Sequence, residues 1–247
     1  MSGAAFFDLD RTLLRRSSAL ALAGSFRERG LITRGDMARA ALWQLLFVAR
    51  GASHREVRRM ADRGLTVLEG MAPAELAELV AGALDPVLRQ LLNEQIVAVA
   101  HRHRERGEPA YIVSVALQEI VDALVADLHL AGGLGTVCEI VDGVYTGRAS
   151  RALHGEDKAV ALRELAVREH LDLASSTAYS DSFSDLPFLE AVGTPIAVDP
   201  DRRLRAVARE RGWEILEGRE RRRGLRPVLY GGPAVLGLAI AARRRAS

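Results

Sequence analysis

The sequence predicts an α/β protein: a doubly wound, mostly parallel, Rossmann-like sheet with an all-helical insert after its first strand. Three observations lead there. Short apolar runs end in polar or acidic residues, Ala4–Phe7 before Asp8 and Ala110–Val113 before Ser114, and a further strand at Thr177–Asp181 ends in an acid. Unbroken apolar runs of this length suit strands buried on both faces of a parallel sheet. After Leu14, about ninety residues carry helical spacing and no strand pattern. From Ala110 onward strands and helices alternate, the signature of crossover connections.

Taken in order, Ala4–Phe7 is the first strand and Ser17–Arg29 a helix stopped by Gly30. Thr33 can cap a second helix, with Asp36 in its first turn, running to Gly51. Ser53 and Glu56 have capping-box spacing for a third. Pro73 opens a fourth, and Asp85-Pro86 a long fifth ending near Gly107. Ala110–Ser114 is the second strand, followed by a helix from Glu119 to His129. Cys138–Gly147 reads as a hairpin about a type I′ turn at Asp142-Gly143. A helix over Glu156–His170 precedes a strand at Thr177–Asp181, a short helix at PFLEAV and a strand at Pro195–Val198. A helix over Asp201–Arg211 and a last strand at Trp213–Leu216 complete the sheet. This divides the chain into a core (1–14 and 108–217), a helical insert (15–107) and a tail (218–247).

With 247 residues, 49% hydrophobic and 27% charged, the chain can bury a large core. One cysteine, Cys138, permits no internal disulfide and supplies no thiolate cluster for zinc. The six histidines show no ligand spacing. The first residues carry neither a basic nor a long apolar signal region, so the expected compartment is the cytoplasm.

The formal charge of +2 hides an asymmetry: residues 218–247 hold eight Arg and one Glu, which leaves −5 on residues 1–217. The basic character thus belongs to the tail, and no nucleic-acid partner is expected. Val228–Ala242 is apolar between arginine clusters but shorter than the ~20 residues of a membrane span. Two readings stay open: weak contact of residues 218–247 with the inner membrane surface, or a helix or disordered basic tail attached to the body.

Asp8 and Asp10 stand two residues apart at a strand end, where open α/β sheets place ligands. Two close acids need a cation or a shared proton. Oxygen donors without His or Cys favour Mg²⁺. The alternative is a strand followed by a solvated Asp/Arg turn. Of 34 basic residues only Lys158 is a lysine. In a chain that uses arginine elsewhere, a compact ammonium marks a functional candidate. Asp8, Asp10, Ser114, Lys158, Asp181 and Asp185 all fall at strand ends or on a helix start facing them. Phosphoryl transfer needs such parts: a nucleophile, a cation, positive charge on the equatorial oxygens and hydrogen-bond donors.

FFDLDRTLL, Ile112-Val113-Ser114, Lys158 and YSDSFSDLP (179–187) resemble, in order, the four motifs of the haloacid dehalogenase superfamily. The insert after the first motif, and PIAVDPDRRLRAVARERGW near the end, resemble subfamily IB, the phosphoserine-phosphatase-like hydrolases with a C1-type helical cap. The resemblance covers roughly residues 4–217. It implies a Mg²⁺-dependent phosphomonoester hydrolase acting on a small phosphorylated metabolite. Asp8 would be the nucleophile and Asp10 the acid/base. Mg²⁺ would be held by Asp8, Asp181 and the backbone carbonyl of Asp10. Ser114 and the Val115 N–H would bind the phosphoryl oxygens, and Lys158 would neutralise them together with Asp8. Asp185 would support Lys158 and a metal-bound water, and Thr12 would fix the loop. Asp185 could equally cap PFLEAV, and Thr12 could serve only packing.

The sequence departs from phosphoserine phosphatases nine residues after the nucleophile. Their acidic reader of the substrate ammonium is Ser17 here, preceded by Arg15 and Arg16. A charge-assisted contact typically contributes about 1.5–3 kcal/mol, so a more anionic substrate is expected. The second motif continues as Val115, Ala116 and Leu117, which keeps the space beside Ser114. Phosphoserine phosphatase proper, a phosphotransferase and a membrane-tethered non-catalytic regulator are the alternatives.

Overall fold

A computed structural model describes residues 2–33, 35 and 65–218. The strands are β1 (Ala5–Phe7), β2 (Ala110–Leu117), β3 (Gly132–Val141), β4 (Val144–Arg151), β5 (Thr177–Ser180), β6 (Thr194–Val198) and β7 (Glu214–Leu216). They form one sheet in the order β4-β3-β2-β1-β5-β6-β7. Only the β3–β4 pairing is antiparallel. β1 lies between β2 and β5. The chain builds outward on one side of β1, then returns to its other side. Ligands of open α/β sheets sit at such a reversal of strand order.

The helices are α1 (Ser18–Glu28), α2 (Pro73–Ala83), α3 (Glu94–Glu105), α4 (Gln118–Asp127), α5 (Glu156–Arg168), α6 (Leu186–Glu190) and α7 (Arg202–Glu210). Strand alternation distributes the core over two faces. Ala5, Phe7 and Ile112 pack with Leu22, Leu76, Ile96 and Leu124 of α1–α4. Ala4, Phe6, Val113 and Ala178 pack with Leu162, Phe188 and Leu204 of α5–α7. Consecutive residues of β1 therefore feed opposite cores, which is why the run has no polar alternation. Each fully buried Leu or Phe contributes about 1.5–3 kcal/mol.

Two expectations change. The single helix over 85–107 is interrupted: Leu84–Leu88 forms a π-helical turn, Arg89–Leu91 a 3₁₀ turn, and α3 starts only at Glu94. The break serves the loop after β1. Arg15 donates its N–H to the Leu91 carbonyl (2.7 Å), and Asn93 donates its own to Leu13 (2.8 Å). Backbone groups of that loop need partners, and no continuous helix could supply them. The second strand and the hairpin are also longer than expected, reaching Leu117 and starting at Gly132. Asp142 and Gly143 have φ of 52° and 80°, the two positive values a type I′ turn requires.

α3 lies against the sheet: His103 hydrogen-bonds the Tyr179 hydroxyl through Nε2 (2.7 Å), beneath Phe7. The helix expected over residues 33–51, the one capped by Ser53, and the tail from 219 onward fall outside the described residues, wholly or nearly so. Among the described residues no helix is long and apolar enough to cross a membrane.

Candidate active site

The register brings the motifs to one edge. Phe7 pairs with Ile112 on one side and Tyr179 on the other. Asp8 and Asp181 therefore emerge just beyond β1 and β5, and Ser114, within β2, lies two residues past the last β1–β2 pair. Asp8 remains tied to the sheet by donating its N–H to Tyr179 (2.9 Å). Its side chain alternates onto the face of Phe6, the side covered by α5. Lys158, in the first turn of α5, reaches Asp8 Oδ1 and Asp185 Oδ2, each at 2.7 Å. An ammonium in a helix's first turn is opposed by the helix dipole, so these carboxylates hold it there. Lys158 is fully buried, and its Nζ lies 4.5 Å above the Phe188 ring.

Asp185 takes the N-cap position of α6, yet its side chain makes no capping bond. It accepts from Lys158 and from the Ser180 hydroxyl (2.7 Å). Asp10 is held at both oxygens, Oδ1 by the Ser18 N–H (2.8 Å) and Oδ2 by the Ser17 hydroxyl (3.3 Å). Asp181 Oδ2 pairs with Arg11 Nη2 at 3.0 Å. Ser114 is fully buried, and its Oγ accepts the Ala116 N–H at 3.1 Å. The β2–β3 ladder shifts register between Val113 and Leu117, so Ser114, Val115 and Ala116 form a bulge beside Asp8, a common device next to functional sites. Gly135 permits it: a Cβ there would stand 2.8 Å from Gln118 Cα and 2.9 Å from the Ala116 carbonyl. Thr12 is fully buried with its hydroxyl unpartnered, while its carbonyl accepts from Asn93 (3.3 Å).

Three contributors have contacts that type and spacing did not announce, although Ser17 was marked as the position of the missing acidic reader. Ser17 and Ser18 orient Asp10. Asp201 accepts the Phe183 N–H (2.8 Å), donates its own N–H to the Asp181 carbonyl (2.8 Å) and caps α7. It thereby pins the loop carrying Asp181 and Asp185. The DPD sequence marks Asp201 as a helix cap, but nothing in it reveals the second contact.

Burial dominates the electrostatics. It pushes the Asp8 carboxyl up to about 6, against the pull of Lys158 and with help from Asp185. It raises Asp10 despite the donors from Ser18 and Ser17, and lifts Asp181 well above the usual carboxylate range despite Arg11. Burial alone would lower Lys158, but Asp185 and Asp8 override it and keep the ammonium charged. Four acids thus face two cations, a deficit of positive charge among largely buried groups.

A raised acid holds its proton more tightly when folded. Its favourable contribution is present below the unfolded value, about 3.9, and is lost as pH rises toward the folded value. In EDTA, the stability of the wild type relative to Asp8→Asn is therefore expected to fall between pH 4 and about 6 and then level off. Urea unfolding at several pH values checks this, and a difference that rises with pH contradicts it.

A profile described as haloacid dehalogenase-like hydrolase matches residues 5–190. This chain belongs to that family. The match spans every element described above from β1 to α6. Among curated relatives, the phosphoserine phosphatase SerB1 of Mycobacterium tuberculosis is 37% identical over 243 residues, covering 98% of this chain and 78% of the relative. Among solved structures, a protein of unknown function from Bordetella pertussis is similar, with TM-score 0.76 and 29% identity over 87% of this chain and 98% of that one. A phosphoserine phosphatase captured as a phospho-aspartyl intermediate analogue shares the fold, with TM-score 0.59 and 18% identity, covering 88% of this chain and 94% of that one. The phosphoserine-phosphatase-like resemblance read from the motifs holds.

Proposed function

We propose that this chain is a Mg²⁺-dependent phosphomonoester hydrolase that acts on a small phosphorylated metabolite through an aspartyl-phosphate on Asp8. The observation that carries the reading is the buried ammonium of Lys158, 2.7 Å from both Asp8 and Asp185. A nucleophilic carboxylate needs positive charge where a phosphate dianion must approach, and Lys158 is placed to supply it. Asp8 attacks phosphorus as the bond to the leaving oxygen breaks, and Asp10 gives that oxygen a proton. Asp10 then takes a proton from water, which attacks the same phosphorus and releases inorganic phosphate and free Asp8. Ser17 and Ser18 hold Asp10 for both proton transfers. Ser114 and the Val115 N–H receive the phosphoryl oxygens, and Asp185 steadies Lys158. The helical segment between β1 and α3 would supply the cap that closes over the site and excludes water, while α3 itself stays packed on the sheet.

The donor set fits Mg²⁺. Among the described residues no three His, Cys, Asp or Glu side chains form a prebuilt metal cage. Mg²⁺ keeps several waters and takes one or two carboxylates, and here Asp8 and Asp181 with the Asp10 carbonyl would hold it. Asp10 turns its carboxylate toward Ser17 and Ser18, which supports a backbone role at the metal. The ion would supply the missing positive charge at the phosphate.

Phosphoserine is the second reading, favoured by the curated relative's name. Residue 17 weighs against it, because the Ser17 hydroxyl is turned to Asp10 and no carboxylate stands there to meet an ammonium. A screen of phosphorylated metabolites with Mg²⁺ tests both. The expected result is phosphate release from p-nitrophenyl phosphate and from an anionic metabolite in preference to phosphoserine. No release from any phosphomonoester overturns the proposal, and transfer to an added alcohol in place of water would make the chain a phosphotransferase.

A further inference from the structure

Arg11 lies in the acidic pocket without a place in the chemistry above. Its backbone is left-handed, with φ of 63°, a conformation side-chain-bearing residues take at a cost. Its Nη2 stands 3.0 Å from Asp181 Oδ2, the Arg11 side chain 27% exposed and that of Asp181 7%. Its Nε is buried without a hydrogen-bond partner. A guanidinium binds a carboxylate best as a two-donor fork. Here it contributes one ion-pair contact and leaves another donor unsatisfied, so the arrangement is poorly paid in hydrogen bonds and rests on charge. Asp181 is a carboxylate assigned above to the divalent cation, and a guanidinium at contact distance competes for the same oxygens.

We propose that Arg11 is a resident counter-ion of Asp181, occupying it when no metal is bound and leaving it when a divalent cation enters. The proposal rests on the cation reading above. It separates two states of one loop: a metal-free state with Arg11 on Asp181, and a loaded state with Arg11 displaced toward solvent, where its partial exposure already leads. Arg11 then sets the apparent metal affinity, because only the fraction of molecules with Asp181 unpaired can bind the ion.

Calorimetric titration of Mg²⁺ into the full chain tests this without any turnover. Three proteins are compared: wild type, Arg11→Gln, and Arg16→Gln, which removes the same charge from an exposed position in the same loop. Arg11→Gln is expected to bind Mg²⁺ about tenfold more tightly than wild type, and Arg16→Gln within about twofold. Thermal unfolding gives a second readout: metal-free Arg11→Gln should melt lower than wild type, yet gain more from Mg²⁺. Equal Mg²⁺ affinity in wild type and Arg11→Gln overturns the counter-ion role and leaves the cation reading standing. Equal tightening in both variants also overturns it, as a general charge effect. Binding to none of the three removes both readings.

Discussion

Replacing Asp8 by Asn is expected to abolish turnover of a generic aryl phosphate, by roughly 10⁴-fold or more, the scale seen when an enzymic nucleophile is removed. The amide is nearly isosteric, so shape is preserved while the charge proposed to attack phosphorus is lost. The fold is expected to survive. Asp8 holds the sheet through its backbone N–H, and Lys158 keeps Asp185 as a partner. A cooperative urea transition with no phosphate release is the predicted pair of results. Retained activity would mean that water attacks the substrate directly, and Asp8 would lose its assignment. Mass spectrometry of wild type quenched during turnover gives an independent check, since a covalent phosphoryl adduct on Asp8 is expected only there.

Lys158→Met carries the second large effect, and it acts on stability as well as rate. The methionine fills much of the same space over Phe188 but leaves Asp8 and Asp185 without their ammonium. Removing one partner from a buried ion pair typically costs about 3–5 kcal/mol, because the remaining charge is stranded. At pH 7.5 without metal, the variant is expected to lose stability on that scale. At pH 5 the loss should shrink, since an Asp8 carboxyl already raised by burial can take up a proton. Activity should fall by about a thousandfold, the scale of losing an electrostatic contact to transition-state charge. Lys158→Arg retains the charge and still should not restore the rate. A planar fork cannot reproduce a compact donor 2.7 Å from two separate oxygens in a fully buried site. Denaturant unfolding at the two pH values and initial rates with an aryl phosphate measure these effects. A Met variant as stable as wild type at pH 7.5 would show that the two acids do not depend on Lys158.

Much of this was legible in the chain alone. Buried strands announced themselves because β1 and the first half of β2 are covered on both faces and carry no polar alternation. The lone lysine stood out because arginine takes every other basic position, and an ammonium does what a guanidinium cannot. Asp8, Asp10, Ser114, Lys158, Asp181 and Asp185 could be named because a parallel sheet delivers the ends of its strands to one edge. Local signals of this kind depend on a residue's own type and on its near neighbours, so they survive without coordinates. The interrupted helix before Glu94 was not readable, because its cause is the backbone demand of a loop some eighty residues earlier. Nor could spacing show that Ser17 turns to Asp10, that Asp201 braces the Asp181 loop, or that Arg11 rests on Asp181. Each depends on where a side chain points across a fold, and only packing decides that. The candidate site residues were thus named by residue type and order, while the tertiary structure decided which charges meet, because burial and distance set their energies.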